Sequence, residues 1–321
     1  MKKVGIIGAL LLIAFVTFIS LGCTRSETEQ RLRFATGGTG GTYYPLGTAI
    51  GQVIQENTGI TIIVEATGAS RANIQLIDAD EVELAIVQND VMDYAWQGVD
   101  LFQGERSQSF NAIAGLYPEQ VQVIAAAGSG INSIADLRGK SVSVGDAGSG
   151  VEFNSRQVLG AYGISFSDIN VQNLGFSPSA DALRDGRIDA FFCVAGAPTS
   201  AIIDLATGRD IVILPIDGTN AAQLMRDYPF YTEYLIPAGT YRGQTSAVRT
   251  LTIKATLIAA SSVSEETIYQ FTKSMFENHA QLAAAHSRGA DINLTDAVQV
   301  MGSVPFHPGA ARYFREVGAL R

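Results

Sequence analysis

The chain has 321 residues and a formal net charge of −9, from 31 acidic and 22 basic side chains; charged residues make up only 17 % of it, and 33 residues are glycine. No basic cluster interrupts that acidic balance, so nucleic acid and anionic membrane surfaces are excluded as expected partners. The length is enough for two lobes, and the composition points to a compact α/β protein with many tight turns rather than a disordered one.

Met1-Lys2-Lys3 is followed by an apolar run from Val4 to Leu21, then Gly22-Cys23, then a polar stretch from Thr24 to Gln30. A basic start, an apolar middle and a small residue before the cut is the layout of a secretory signal. An uncleaved N-terminal anchor is the alternative, because the run is about as long as the shortest membrane span. Gly22-Cys23 resembles a bacterial lipobox with Cys23 as the lipidated residue, though Ser20 stands where that pattern has a branched aliphatic residue. The only other cysteine, Cys193, sits in the apolar run Ala190 to Val194 and reads as a buried small hydrophobe.

Past the linker the pattern predicts strand, loop and helix in repetition. Strands are expected at Leu32 to Ala35, Thr61 to Ala66 and Leu84 to Val87, with helices over Pro45 to Asn57 and Arg71 to Asp78. Apolar strand runs alternating with amphipathic helices indicate a parallel sheet covered on both faces. Near Leu116 to Pro118 the rhythm changes, and Val121 to Ala126 reads as the crossing into a second lobe. That lobe is expected to carry strands at Ser141 to Val144, Ile169 to Gln172, Ala190 to Cys193 and Ile211 to Leu214, with a helix from Val151 to Tyr162. Leu251 to Ala260 reads as a long strand returning to the first lobe. Helices over Glu265 to His279 and Leu294 to Val300 follow, and Thr219 to Thr250 gives no clear pattern.

The halves echo each other. A strand, the loop Thr36 to Thr42 and a helix in the first correspond to a strand, the loop Gly145 to Gly150 and a helix in the second. In each half a further apolar strand follows its loop by about 45–50 residues, a long-period similarity that suggests two like lobes. Lobes facing each other make a cleft, and the carboxyl ends of parallel strands are where such folds bind ligands.

Both loops are glycine-rich and open a helix, so their backbone N–H groups can approach an anion at a helix N-terminus. Gly38, Gly41, Thr42 and Tyr43 are candidate ligand contacts on one side, and Ser149, Gly150, Val151 and Asn154 on the other; for Ser149, helix capping is an equally good reading. Gln88 and Asn89, and Gly196 and Pro198, follow apolar strands and are expected at the cleft rim, where amides offer donors and acceptors. Ser70 completes the set, and Arg71 either pairs with a carboxylate or is a solvated helix-start residue. The first loop ends Gly41-Thr42-Tyr43 without the lysine a P-loop needs, and its glycines do not complete a dinucleotide fingerprint.

No catalytic set is evident. The three histidines, His279, His286 and His307, lack metal-ligand spacing, and Gly148-Ser149-Gly150 is not a nucleophile elbow. The expectation is therefore no enzyme, no metal and no cofactor.

The run Phe34 to Gly47 resembles the N-terminal signature of the TAXI solute receptors of tripartite ATP-independent periplasmic (TRAP) transporters. Glu65 to Ser70 with Asn73, Leu84 to Asp90, Ala135 to Lys140, Val144 to Gly150 and Asp189 to Phe192 match further. The resemblance runs from Leu32 to the C-terminus. It implies a type II periplasmic-binding-protein fold, an α/β architecture of two lobes, each with a mainly parallel sheet flanked by helices and with the ligand cleft between them. It also implies a TRAP membrane permease as partner, in some cases a fused subunit. Some relatives bind glutamate, glutamine or 2-oxoglutarate. The sequence departs from the pattern at Arg71, where the family carries a smaller or acidic residue, so ligand identity does not carry over with the fold.

The resulting expectation is a signal peptide over 1–22, a lipid-anchor linker over 23–30, lobe 1 from 31–120 and 251–321, and lobe 2 from 121–250. The protein would be an extracytoplasmic, lipid-anchored monomer that binds a small anionic or zwitterionic solute, an amino acid or a 2-oxo or dicarboxylate, and delivers it to the permease. A binding protein of an ABC importer or a sensor system is the alternative, followed by a periplasmic transferase or hydrolase on the same fold and a structural lipoprotein without ligand.

Overall fold

The chain alternates apolar strands with helices from residue 31 onward, and the computed structural model, which describes residues 30–299 and 302–321, assembles them around one continuous sheet. The expected signal segment, Cys23 and the end of the helix expected at Val300 lie outside the described residues. Residues 31–321 form one unit.

The first half of the sheet contains β1 (Arg31–Ala35), β2 (Thr61–Glu65) and β3 (Leu84–Gln88), with β1 parallel to both others. Helices α1 (Tyr43–Thr58) and α2 (Ser70–Asp78) make the crossovers, and α3 (Asn89–Gln97) follows β3 directly. The second half contains β5 (Ser141–Ser143), β6 (Asn170–Gln172) and β7 (Ala190–Ala195), where β5 is parallel to β6 and β7. Its helices are α4 (Gly150–Ala161), α5 (Phe176–Arg184) and α6 (Ser200–Gly208), followed by β8 (Ile211–Leu214), α7 (Gly218–Asp227) and β9 (Thr232–Ile236).

Two long antiparallel strands, β4 (Phe110–Ala126) and β10 (Val248–Ala260), join the halves, giving the order β2-β1-β3-β10-β4-β7-β5-β6, with β8 on β4 and β9 on β10. From Phe110 to Gln120, β4 pairs with β10; from Gln120 to Ala125 it pairs with β7. Pro118 lies at that changeover opposite Lys254, beside a register shift in the β4–β10 ladder. A proline supplies no ladder N–H, and bulges are where strands accommodate it.

Both faces of the sheet are covered, so residues alternating across β3 from Leu84 to Val87 and across β7 are apolar on both sides. Leu84 and Ile86 join one core cluster with Phe34, Ile50 and Phe271, while Ala85 and Val87 join another with Ile74, Val91 and Phe110 on the opposite face. Likewise Phe192 packs with Val123, Val158 and Leu214, and Phe191 with Ile124, Ile202 and Leu205. Cys193 is fully buried in the latter cluster, and burial pushes its thiol far above the ordinary range.

The structure corrects several expected boundaries. Val121 to Ala126 is only the end of β4, because the preceding residues Phe110 to Gln120 are buried between neighbouring strands and continue it. The long helix expected to reach His279 ends at Glu277 (α8, Glu265–Glu277), and α9 (His279–Ala285) starts anew after Asn278. The helix expected from Leu294 is the single turn α10 (Leu294–Ala297), capped by the Asn293 side chain. The segment that gave no pattern contains α7 and β9. A last helix, α11 (Pro308–Glu316), was not anticipated, although Pro308 stands in its first turn, where proline is favoured.

Candidate functional site

The helix-opening loops converge. A cavity of about 280 Å³ is lined by residues at the N-termini of five helices: Thr42 and Tyr43 at α1, Ala69 and Ser70 at α2, Gln88 at α3, Ser149 and Gly150 at α4, and Gly175 and Phe176 at α5. Each N-terminus carries unpaired N–H donors and about half a positive charge. No lysine or arginine lines the cavity among the described residues. Backbone dipoles therefore supply its positive potential.

Glycine permits the close approach of the two walls. A Cβ on Gly40 would lie 2.1 Å from Ser177 Oγ, and one on Gly150 would lie 1.8 Å from Gln88 Oε1. The Ala201 N–H, from the second half, donates to Gly40 O at 3.2 Å. The two halves of the sheet thus meet around the cavity.

Its inner groups are polar and acidic. Glu119 of β4 is buried, and the Tyr43 hydroxyl donates to its Oε2 at 2.8 Å. Burial pushes the Glu119 carboxyl well above the usual carboxylate range, and pushes the Tyr43 phenol up as well. Gln88, only 2 % exposed, has an Oε1 with no hydrogen-bond partner. Asp146 also lines the cavity, and partial burial raises its carboxyl. An unpaired acceptor and two carboxyl groups favour a solute carrying a donor.

Of the residues expected from sequence, Gly38, Gly41, Thr42, Tyr43, Ser70, Gln88, Ser149, Gly150 and Val151 line the cavity. Ser149 also caps α4, its Oγ accepting the Glu152 N–H at 3.3 Å, so both readings of that residue apply. The other five do not line it. Arg71 turns to Glu105 at 2.9 Å and lies over the Phe102 ring. Asn89 is buried, with its Oδ1 accepting the Lys254 N–H. Gly196 packs against Tyr117 and Arg288, and Pro198, after a cis peptide bond, is exposed between the buried Ala197 and Thr199.

Asn154 serves a second junction between the halves. Its Nδ2 donates to Asp90 Oδ2 at 3.0 Å and to the Tyr231 hydroxyl at 2.8 Å; Tyr231 in turn donates to Gln157 Oε1 at 2.7 Å. Beside it, Phe153 of α4 enters the apolar cluster of the first half and stacks on Tyr94 and Phe102. Sequence reasoning missed this junction, and it missed Glu119, Thr67, Asp146 and the Phe176 to Pro178 wall of the cavity.

Burial pushes the Asp90 carboxyl from its ordinary 3.8 up to about 6. The native state therefore holds this proton more tightly than the unfolded chain. The resulting stability is fully present below about pH 4 and is lost as pH rises to about 6, a change of about 3 kcal/mol. Asp90→Asn should flatten that part of the stability profile, as measured by urea unfolding between pH 4 and pH 7. An unchanged slope would show that Asp90 titrates normally.

The NMT1-like family pattern matches residues 34–318, and the chain belongs to that family. In fold it is similar to the binding-protein component of an ABC phosphonate transporter from Pseudomonas aeruginosa, at 12% identity over 81% of this chain and 79% of that one, with a TM-score of 0.51. It is also similar to a periplasmic transporter, at 16% identity over 91% and 94% with a TM-score of 0.52. A protein from Bordetella bronchiseptica RB50 gives 16% identity over 90% and 81%, with a TM-score of 0.53. The architecture is the α/β periplasmic-binding-protein fold that the sequence led us to expect.

Proposed function

We propose that this member of the NMT1-like family is an extracytoplasmic solute-binding protein. It takes a small zwitterionic carboxylate, of the amino-acid kind, into the cavity between its sheet halves and passes it to a membrane importer. One observation carries the reading: five helix N-termini converge on a cavity that, among the described residues, has no cationic side chain but contains a buried acid and an unpartnered amide oxygen. The N-termini suit the solute's carboxylate. Glu119, Asp146 and the Gln88 Oε1 suit an ammonium group, and no cationic side chain among the described residues lines the cavity to pair a second negative charge, so dicarboxylates and phosphonates are disfavoured.

Residues 31–120 with 251–321, and 121–250, would then act as two lobes that close on the solute about β4 and β10. The partner we favour is an ABC importer, since the binding protein of such a system shares the fold. A TRAP permease is the second reading; it rests on the TAXI-like run from Phe34 to Gly47. An extracytoplasmic location, with Cys23 as a lipid anchor, rests on the signal-like start of the chain.

A thermal-shift panel of amino acids, 2-oxo acids, dicarboxylates and phosphonates tests the function. A solute at about 100 times its dissociation constant adds roughly 2.7 kcal/mol to stability. Amino acids should give the largest rise in melting temperature. A response confined to phosphonates or dicarboxylates would refute the assigned solute class, and silence from protein first unfolded and refolded would refute the receptor.

A further inference from the structure

Glu119 is placed differently from the other groups around the cavity. It lies on β4 where that strand changes partners from β10 to β7. Every ionisable group acting on it is neutral or acidic: Tyr43 from α1 donates its hydroxyl, and Asp90 from α3 adds negative potential. Tyr117, two residues earlier on β4, and Cys193 on β7 feel the Glu119 charge in turn. Asp146 precedes α4 on the opposite wall, and Gln88 from β3 is uncharged. Arg288 acts on Tyr117, but among the described residues no cation acts on Glu119. The Tyr43 hydroxyl is the one donor to the Glu119 carboxyl among the described residues. Ionising a buried carboxylate with a single neutral donor is costly unless a cation accompanies it. A solute can supply that cation.

We propose that Glu119 recognises the solute's amino group, and that the ammonium ion seats against Glu119 and Gln88 as Glu119 gives up its proton to solvent. The inference rests on the receptor reading above and deepens it. The step balances simply: the Glu119 carboxylic acid and a solute ammonium become a carboxylate–ammonium pair, and one proton passes to buffer. No covalent bond to carbon changes, and nothing is oxidised or reduced. Gln88 Oε1, unpaired in the structure, accepts a second ammonium hydrogen. Asp146 is a weaker candidate for the same task, because it keeps solvent contact and a pair there is screened. A 2-oxo acid of the same shape leaves Gln88 unpaired and Glu119 protonated, so Glu119 sets the preference for amino over oxo solutes.

The test is calorimetric titration at pH 6, 7 and 8, in buffers of different ionisation heat. The probes are the amino acid that raises the melting temperature most and its 2-oxo counterpart. The amino acid should release about one proton per molecule bound at the lower pH values, and its Kd should tighten up to about tenfold per pH unit below the Glu119 titration. Glu119→Gln should abolish both effects and weaken the amino acid about 100-fold, while changing the 2-oxo acid by only a few-fold. Tyr43→Phe removes the single donor and should move the proton release to higher pH. Amino-acid binding without proton release, or undiminished discrimination by Glu119→Gln, would overturn the role of Glu119 and leave the receptor standing. Failure of both probes to bind would remove both. If Glu119→Gln does not fold, proton release by the unaltered protein decides.

Discussion

Phe153→Ala should weaken solute binding by roughly 100-fold, the equivalent of about 3 kcal/mol, while the unliganded protein remains folded. Phe153 belongs to α4, whose other apolar residues Val151, Val158 and Leu159 pack in the second half of the sheet. Its own ring is buried in the cluster of the first half, against Tyr94 and Phe102. Its burial therefore belongs to the arrangement in which the halves are together. Removing a fully buried phenylalanine costs about 3–5 kcal/mol in a single core. Under the proposed closure of the halves on the solute, the cost falls on the closed arrangement and the solute supplies it on binding. The same α4 presents Ser149, Gly150 and Val151 to the cavity one turn earlier. Phe153 and the cavity-lining residues of the proposed solute site thus belong to the same end of one helix. Calorimetric Kd values for Phe153→Ala and Phe153→Leu, with melting curves of the unliganded variants, provide the check. An unchanged Kd with a melting temperature lowered by the full core penalty would make Phe153 a structural residue only.

The second large effect is on stability. Gly309→Ala should destabilise the protein by about 3 kcal/mol, at the upper end of overpacking costs, with Kd for the solute unchanged. Gly309 is in the first turn of α11, against the start of α8. A Cβ there would lie 2.2 Å from the Glu265 carbonyl oxygen and 2.5 Å from the Tyr269 backbone nitrogen. Both are backbone atoms of α8, so no side chain can swing aside and the helices must separate. Separation would loosen Phe314 and Ala310 from the core they share with Ile268 and Phe271. Urea unfolding measures the loss; a change under about 0.5 kcal/mol, the scale of an ordinary surface substitution, would mean the helices yield freely.

The parts of this site legible in the sequence are those where one local rule suffices. A glycine-rich loop between an apolar strand and an amphipathic run marks a helix N-terminus open to a ligand, and residues of two such loops, Gly37 to Thr42 in the first and Asp146, Ser149 and Gly150 in the second, line the cavity. Gln88 was legible for the same reason, as the polar residue directly after the apolar run Leu84 to Val87. Glu119 was not. An acid beside Pro118 and Gln120 reads as a solvated break, and only the pairing of β4 with β10 on one side and β7 on the other buries it. Asn154 and Arg71 lie on helices that the pattern located correctly, but which face each turns to the ligand depends on how the halves meet. Asn154 turns to Asp90, and Arg71 to Glu105. Gly196 and Pro198 follow the strand that corresponds to the one ending at Gln88. There the chain turns away from the cavity, and of the expected rim run Ala195 to Pro198 only Ala195 lines it, with Val194 before it.

A crystal structure of the protein with the amino acid selected by the thermal-shift panel tests the central claim most directly. The account predicts the solute in the cavity between the two halves of the sheet. Its carboxylate should lie within hydrogen-bonding distance of backbone N–H groups at the starts of α1, α4 or α5, and its amino group should lie against Glu119 and Gln88. A solute bound elsewhere, or lying in the cavity with its carboxylate against Glu119 and Asp146, would contradict it.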